Sequence, residues 1–225
     1  MSIQVVTSDS YEGSSISNTW TNVSLQSGDV VIAVAMYDKD NGNISTMTFN
    51  GSGSPTLLRA MDQIDTSNWG VATAYLDIVE TGSYSLIIGQ GGGGTAGTGI
   101  KWIALRNADM STISLVDTFE SWRLTYTVSF SRIPVKGGIY LLTAATTTAG
   151  GDATVSNGTE LDQTNECTDI SGVAMSLTWA SQLGTGASRT ITFQNLGGGS
   201  NHYLQDLGWT IEPKDSLVGN VVLII

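Results

Sequence analysis

The sequence predicts an all-β fold of two tandem antiparallel β-sandwich domains, jelly-roll-like in character and produced by an internal repeat. Three observations carry this expectation. Apolar and hydroxyl-bearing residues alternate along most of the 225 residues, helical spacing is nearly absent, and Thr, Val, Ile, Tyr and Trp occupy the positions that suit a pleated surface. Turn dipeptides punctuate the alternation at Asn41-Gly42, Asn50-Gly51, Thr81-Gly82, Asn157-Gly158 and Gly184-Thr185-Gly186. Many short strands separated in this way specify a sandwich or barrel. Finally, one order of segments is written twice. Ser2-Ile3-Gln4-Val5-Val6-Thr7 is answered by Thr112-Ile113-Ser114-Leu115-Val116-Asp117, and Gly28-Asp29-Val30-Val31-Ile32-Ala33 by Gly137-Gly138-Ile139-Tyr140-Leu141-Leu142. Trp69-Gly70-Val71-Ala72 is answered by Ser171-Gly172-Val173-Ala174, and the flank of Leu105 by Trp209-Thr210-Ile211. The division falls at residues 1–110 and 111–225, each half being long enough to bury a core of its own with seven or eight strands.

The individual strands follow in chain order. Val30 to Tyr37 is apolar on both faces, which marks a central strand covered on one side by the core and on the other by a partner or loop. Ala72, Ala74, Leu76 and Ile78 share one face of the next long strand, and Tyr84, Leu86 and Ile88 share a face of the one after it. A closing strand covers Ile100–Arg106. In the second half, Leu124–Phe130 alternates cleanly between apolar residues and hydroxyls, as a half-buried antiparallel strand does. Ile139–Ala145 repeats the two-faced apolar pattern, Val173, Met175, Leu177 and Trp179 form one face, Ile191 and Phe193 another, and Tyr203–Ile211 closes the copy. Glycine tracts at 89–94 and 197–199 precede the closing strand of each copy. A strand rather than a helix follows each tract, so they read as tightly curved loops and not as phosphate cradles. Residues 216–225 then begin what looks like the first strand of a third copy, with Ser216-Leu217-Val218 standing where Ser114-Leu115-Val116 stands. An apolar strand of this kind must be covered, either by its own domain or by addition to a neighbouring subunit's sheet.

Composition narrows the function classes. Charged residues make up only 13%, against about 25% in ordinary domains. The net charge of −11 excludes a nucleic-acid backbone partner, which needs clustered Lys and Arg, and disfavours an anionic membrane surface. Six Trp and seven Tyr argue for a packed chain rather than a disordered one. Cys167 is alone, so an intrachain disulfide and a thiolate metal cluster are excluded, and it reads as a small buried hydrophobe. Met1-Ser2-Ile3-Gln4 lacks the basic and apolar regions of a signal peptide, and no apolar run approaches the length of a spanning helix, so synthesis in a host cytoplasm is expected.

Candidate chemistry is sparse. Asp38-Lys39-Asp40-Asn41-Gly42-Asn43 begins like a calcium loop, but its Gly comes one residue early and Phe49 stands where a bidentate Glu belongs. A hairpin turn is the first reading, with Asp38, Asp40, Asn41 and Asn43 kept as calcium candidates. His202, the only histidine, has no G-x-S-x-G elbow to serve and reads as a loop or strand-edge residue. Glu160, Asp162, Glu166 and Asp169, with Asp77 and Glu80 elsewhere, read as solvated acids rather than a glycosidase pair. Trp102, Trp179 and Trp209 fall inside strands and read as core, whereas Trp20, Trp69 and Trp122 lie near strand ends and are the candidates for a binding or subunit surface. No cofactor and no catalytic residue is expected.

The order of motifs resembles a family of phage-type virion proteins. It comprises Gly28-Asp29-Val30-Val31-Ile32-Ala33-Val34-Ala35, Thr48-Phe49-Asn50-Gly51, Trp69-Gly70-Val71-Ala72-Thr73-Ala74-Tyr75, Tyr84-Ser85-Leu86-Ile87-Ile88 and Trp102-Ile103-Ala104-Leu105-Arg106. The first copy follows this pattern along most of its length and the second follows it loosely. The resemblance implies a non-enzymatic virion structural protein on the particle exterior, as a capsid decoration protein or a tail or fibre component. Its partners are then other copies of itself and other virion proteins, with Trp20, Trp69, Trp122, Leu217, Val218, Val221 and Leu223 as interface candidates. The alternative is a carbohydrate-binding or receptor-binding module that holds a surface glycan with its loop-end aromatics.

Overall fold

The computed structural model describes residues 1–13, 15, 17–38, 47–51, 53–62, 69–90, 98–123, 126–132, 137–146, 153–156, 159–163, 167–168, 174–183, 189–195 and 202–214. Among them there is no helix, and every strand pairing is antiparallel. The first eight strands are β1 (Gln4–Gly13), β2 (Ser17–Leu25), β3 (Val30–Asp38), β4 (Met47–Phe49), β5 (Thr56–Asp62), β6 (Trp69–Asp77), β7 (Gly82–Gln90) and β8 (Thr98–Arg106). The later strands are β9 (Ala108–Arg123), β10 (Tyr126–Arg132), β11 (Ile139–Thr146), β12 (Ala153–Ser156), β13 (Thr159–Gln163), β14 (Cys167–Thr168), β15 (Ala174–Leu183), β16 (Arg189–Asn195) and β17 (His202–Pro213).

Pairing is nested. In the first set β1 pairs with β8, β2 with β7 and β3 with β6, so partners close inward from the two ends of the chain segment. Further pairings of β3 with β8, β4 with β7 and β5 with β6 complete two sheets, β1-β8-β3-β6-β5 and β2-β7-β4. The later strands follow the same scheme: β9 pairs with β17, β10 with β16 and β11 with β15. Their sheets run β9-β17-β11-β15-β13 and β10-β16-β12, with the short β14 added beside β15. The order of the first set is thus reproduced strand for strand, β14 being the one addition among the described residues.

Strand alternation sends successive residues to opposite faces, and β3 is apolar on both. Val31, Ala33 and Ala35 face the smaller sheet, where they join Ala72, Ala74, Leu76, Ile100, Trp102 and Ala104 against Trp20, Leu25, Met47, Leu86 and Ile88. This is a sandwich-like core. Alanine at five of its positions leaves room for two indoles, and Trp20 meets Trp102 edge to face, with ring centroids 5.8 Å apart and planes at 71°. Val30, Ile32, Val34 and Met36 point the other way and form a second core with Val71, Ile103 and Leu105. Its cover is supplied by the later strands, through Ala108, Met110, Ile139, Trp209 and Ile211. The second face of the two-faced strand is therefore covered by the other strand set of the same chain.

One residue, Asn107, separates β8 from β9, and it has a φ of 61°, a conformation that asparagine tolerates better than most side chains. Three contacts pin the junction. Lys214 donates its backbone N–H to the Asn107 carbonyl (2.7 Å), Asn107 Nδ2 donates to the Ser2 carbonyl (3.3 Å), and the Ile3 N–H reaches the Gly137 carbonyl (2.8 Å). Gly137 has a φ of 90°, which favours glycine, and a Cβ there would crowd Ser2 Cα at 3.2 Å.

The hairpin expected at Asn41-Gly42 lies outside the described residues; β3 and β4, on either side of it, belong to different sheets. The strand expected over Leu124–Phe130 is described as Tyr126–Arg132. Truncating Ile103, fully buried in the shared core, to Ala is expected to cost about 2–5 kcal/mol in chemical denaturation. Val79→Ala, at a side chain 62% exposed, is expected to stay within about 0.5 kcal/mol.

Candidate functional site

β1 and β2 are each the outer strand of a sheet, and they follow one another along the chain at the same side of the sandwich. Both are bulged. The register of β1 against β8 slips between Val5 and Thr7, and that of β2 against β7 slips between Trp20 and Val23. Inside the second bulge Asn22 has a φ of 60°. Bulges bend an edge strand, increase its twist and re-aim its side chains.

A recess of about 410 Å³ opens between the two bulges. Its deep part is apolar, made by Trp20 (8% exposed) and Trp102 (2%) with Val6 and Val23. Its outer part carries oxygen: Thr7, Asp9, Thr21, Asn22 and Ser24. Asp9 stands directly opposite Trp102 in the β1–β8 register, which places their side chains on one face. One carboxylate oxygen of Asp9 accepts the Ser10 N–H at 2.8 Å. The Trp102 indole N–H is buried and has no acceptor among the described residues. Buried donors are almost always paired; Trp209 Nε1, outside the recess, likewise has no acceptor among the described residues.

The strongest polar constraint lies elsewhere. Arg106 grips the buried Asp29 with two hydrogen bonds, Nε to Oδ1 at 2.8 Å and Nη2 to Oδ2 at 2.9 Å. Asp29 Oδ2 also accepts the Gln26 N–H (2.8 Å), and the Asp29 carbonyl accepts the Ile78 N–H (2.8 Å). The side-chain hydrogen bond to Asp29, aided by its charge and opposed by burial, raises the Arg106 pKa above its ordinary value. This pair ties the β2–β3 turn to the end of β8, immediately before the junction. Its groups are fully engaged with one another, so its role is structural. The pair is not legible in sequence because Asp29 looks like an ordinary turn residue before the apolar run and Arg106 lies 77 residues away.

The placement of the expected site residues is mixed. Trp20 is corrected: it lies within β2 and is packed into the core, because the bulge turns the strand around it, and is no loop-end aromatic. Trp69 opens β6 opposite Asp38, and Trp122 is the penultimate residue of β9 opposite Tyr203; their side chains are not among those described. Asp38 ends β3, while Asp40, Asn41 and Asn43 lie outside the described residues, as do Leu217, Val218, Val221 and Leu223. His202 opens β17, Cys167 opens β14, and Glu160 and Asp162 lie in β13. Trp102 and Trp209 are buried core residues. Among the described residues no three His, Cys, Asp or Glu side chains are grouped to hold a metal ion, and no helix is long and apolar enough to cross a membrane.

No protein-family model, no curated protein and no solved structure matches this chain. The Asp29–Arg106 pair gives an asymmetric prediction. Asp29 is 1% exposed while Arg106 is 31% exposed. Arg106→Ala strands a buried carboxylate, whereas Asp29→Ala leaves a guanidinium that can turn to water. Thermal unfolding is therefore expected to fall further in Arg106→Ala than in Asp29→Ala, and both below the parent protein.

Proposed function

We propose that this chain is a non-enzymatic structural protein of a phage-type virus particle, carried on the particle exterior as a capsid decoration protein or a tail or fibre component. The observation that supports this most is the nested strand order, repeated. Pairing of first with eighth, second with seventh and third with sixth strand is the scheme of a jelly roll, an eight-stranded double Greek key used in viral capsid and lectin domains. On this reading the chain is two tandem jelly-roll domains divided near residue 110. The warrant is likeness of fold together with the order of motifs, since function is carried by sites and not by folds.

The protein acts by docking on copies of itself and on other particle components. Edges govern such assembly. β1, β2, β5, β9 and β13 are all bulged, which blunts edge-to-edge pairing. β10 ends its sheet with an unbroken seven-residue register, from Tyr126 opposite Asn195 to Arg132 opposite Arg189. It is the natural acceptor for an added strand, and the apolar tail with Leu217, Val218, Val221 and Leu223 is the natural donor from a neighbouring subunit. Trp69 and Trp122, at strand ends, supply further contact.

Size-exclusion chromatography with light scattering tests this reading. The full chain is expected to form a closed oligomer, and the chain ending at Asp215 to fall to a folded monomer. A full chain that is strictly monomeric and binds no purified particle contradicts the structural role. Unchanged assembly with lowered monomer stability in the shortened chain contradicts strand exchange alone.

A further inference from the structure

We propose that the recess between β1 and β2 is a binding site for a neutral sugar ring, a function separate from assembly. Four observations point to it.

Shape and chemistry come first. About 410 Å³ lies within the range of small-molecule sites, roughly 300–1,000 Å³. Val6 and Val23, with the small exposed part of Trp20, offer an apolar surface to the C–H groups of a pyranose. The side chains above supply both donors and acceptors: Asn22 and the hydroxyls of Thr7 and Thr21 do either, and the Asp9 carboxylate accepts from two neighbouring hydroxyls. A polyol has that same mixture of groups, held on an apolar frame. Among the described residues no cationic side chain lines the recess, and the chain carries −11 overall, so an anionic ligand is disfavoured.

The second observation is the Trp102 indole N–H, which is 98% enclosed by residue and lacks an acceptor among the described residues. That nitrogen exposes essentially no surface, so a hydroxyl oxygen in the recess accepts from it only once the indole shifts on binding. Third, both strands that border the recess are bulged beside it, and one of them holds Asn22 at positive φ. Local strain of this kind collects at binding sites.

The fourth observation separates site from scaffold. Val30 pairs with Leu105 as Ile139 pairs with Ile211, so the two strand sets can be matched residue by residue. Three positions back along the closing strands, Trp102 corresponds to Gly208. Asp9 stands opposite Trp102, and Asp117 stands opposite Gly208. By pairing register an aspartate faces both places and an indole stands at only one of them. At the position matched to Trp102 the second set carries glycine, so this indole is not required by the shared strand scheme.

The test is a titration of the full chain, followed by tryptophan fluorescence, with glucose, galactose, mannose and N-acetylglucosamine, and with choline for contrast. At least one neutral sugar is expected to give a saturable change in the millimolar range. Asp9→Ala, at an exposed residue, is expected to weaken it about tenfold by removing a charged acceptor. Thr21→Arg, which crowds the recess, is expected to abolish it, and Asp117→Ala to leave it unchanged. Three results overturn the proposal: no saturable change with any of the four sugars, a change insensitive to both Asp9→Ala and Thr21→Arg, or tighter binding of choline than of every sugar.

Discussion

The central strand β3 of the sheet β1-β8-β3-β6-β5 is apolar on both faces, and the rest of the structure follows from the need to cover it twice. One face is met by the smaller sheet and gives the sandwich core around Trp20 and Trp102. The other is met by residues from β9, β11 and β17, with Trp209 and Ile211 at its centre. A hydrophobic strand such as β3, whose residues from Val30 to Met36 are almost wholly enclosed, cannot exist at a water-facing surface. The first strand set depends on the second to cover one of its two faces. The repeat is therefore a pair that completes itself, and not two beads on a string.

The polar contacts serve the same end. Asn107 turns the chain in one residue, and the Ser2, Gly137 and Lys214 contacts hold that turn closed. Lys214 also reaches back to donate from Nζ to the Gly28 carbonyl at 3.1 Å, next to the turn that Asp29 and Arg106 fix. These bonds join the start, middle and end of the described chain at one place, beside the shared core. They orient the two strand sets, while burial supplies the attraction.

Much of this architecture was legible in the residues. Period-two alternation located β3, β6, β7 and β8, and the apolar character of both faces of β3 announced a second cover, since side chains at successive positions must face opposite ways. Trp102 and Trp209 were placed in the core for the same reason. What escaped was set by pairing between distant segments. Trp20 looked peripheral because nothing in Thr19-Trp20-Thr21-Asn22 announces a bulge; Asn22 alone, as a residue that accepts positive φ, was the available signal. The recess is invisible in sequence because its walls come from three strands spread over about a hundred residues. The aspartate at both places and the indole at only one emerge only when the registers are compared.

The shared core is tested most directly by calorimetry of the full chain. If the two strand sets complete one another, heating gives a single cooperative transition, and Ile211→Ala, a change in β17 alone, moves the whole of it to lower temperature. Two resolved transitions, of which only one shifts in Ile211→Ala, would contradict it.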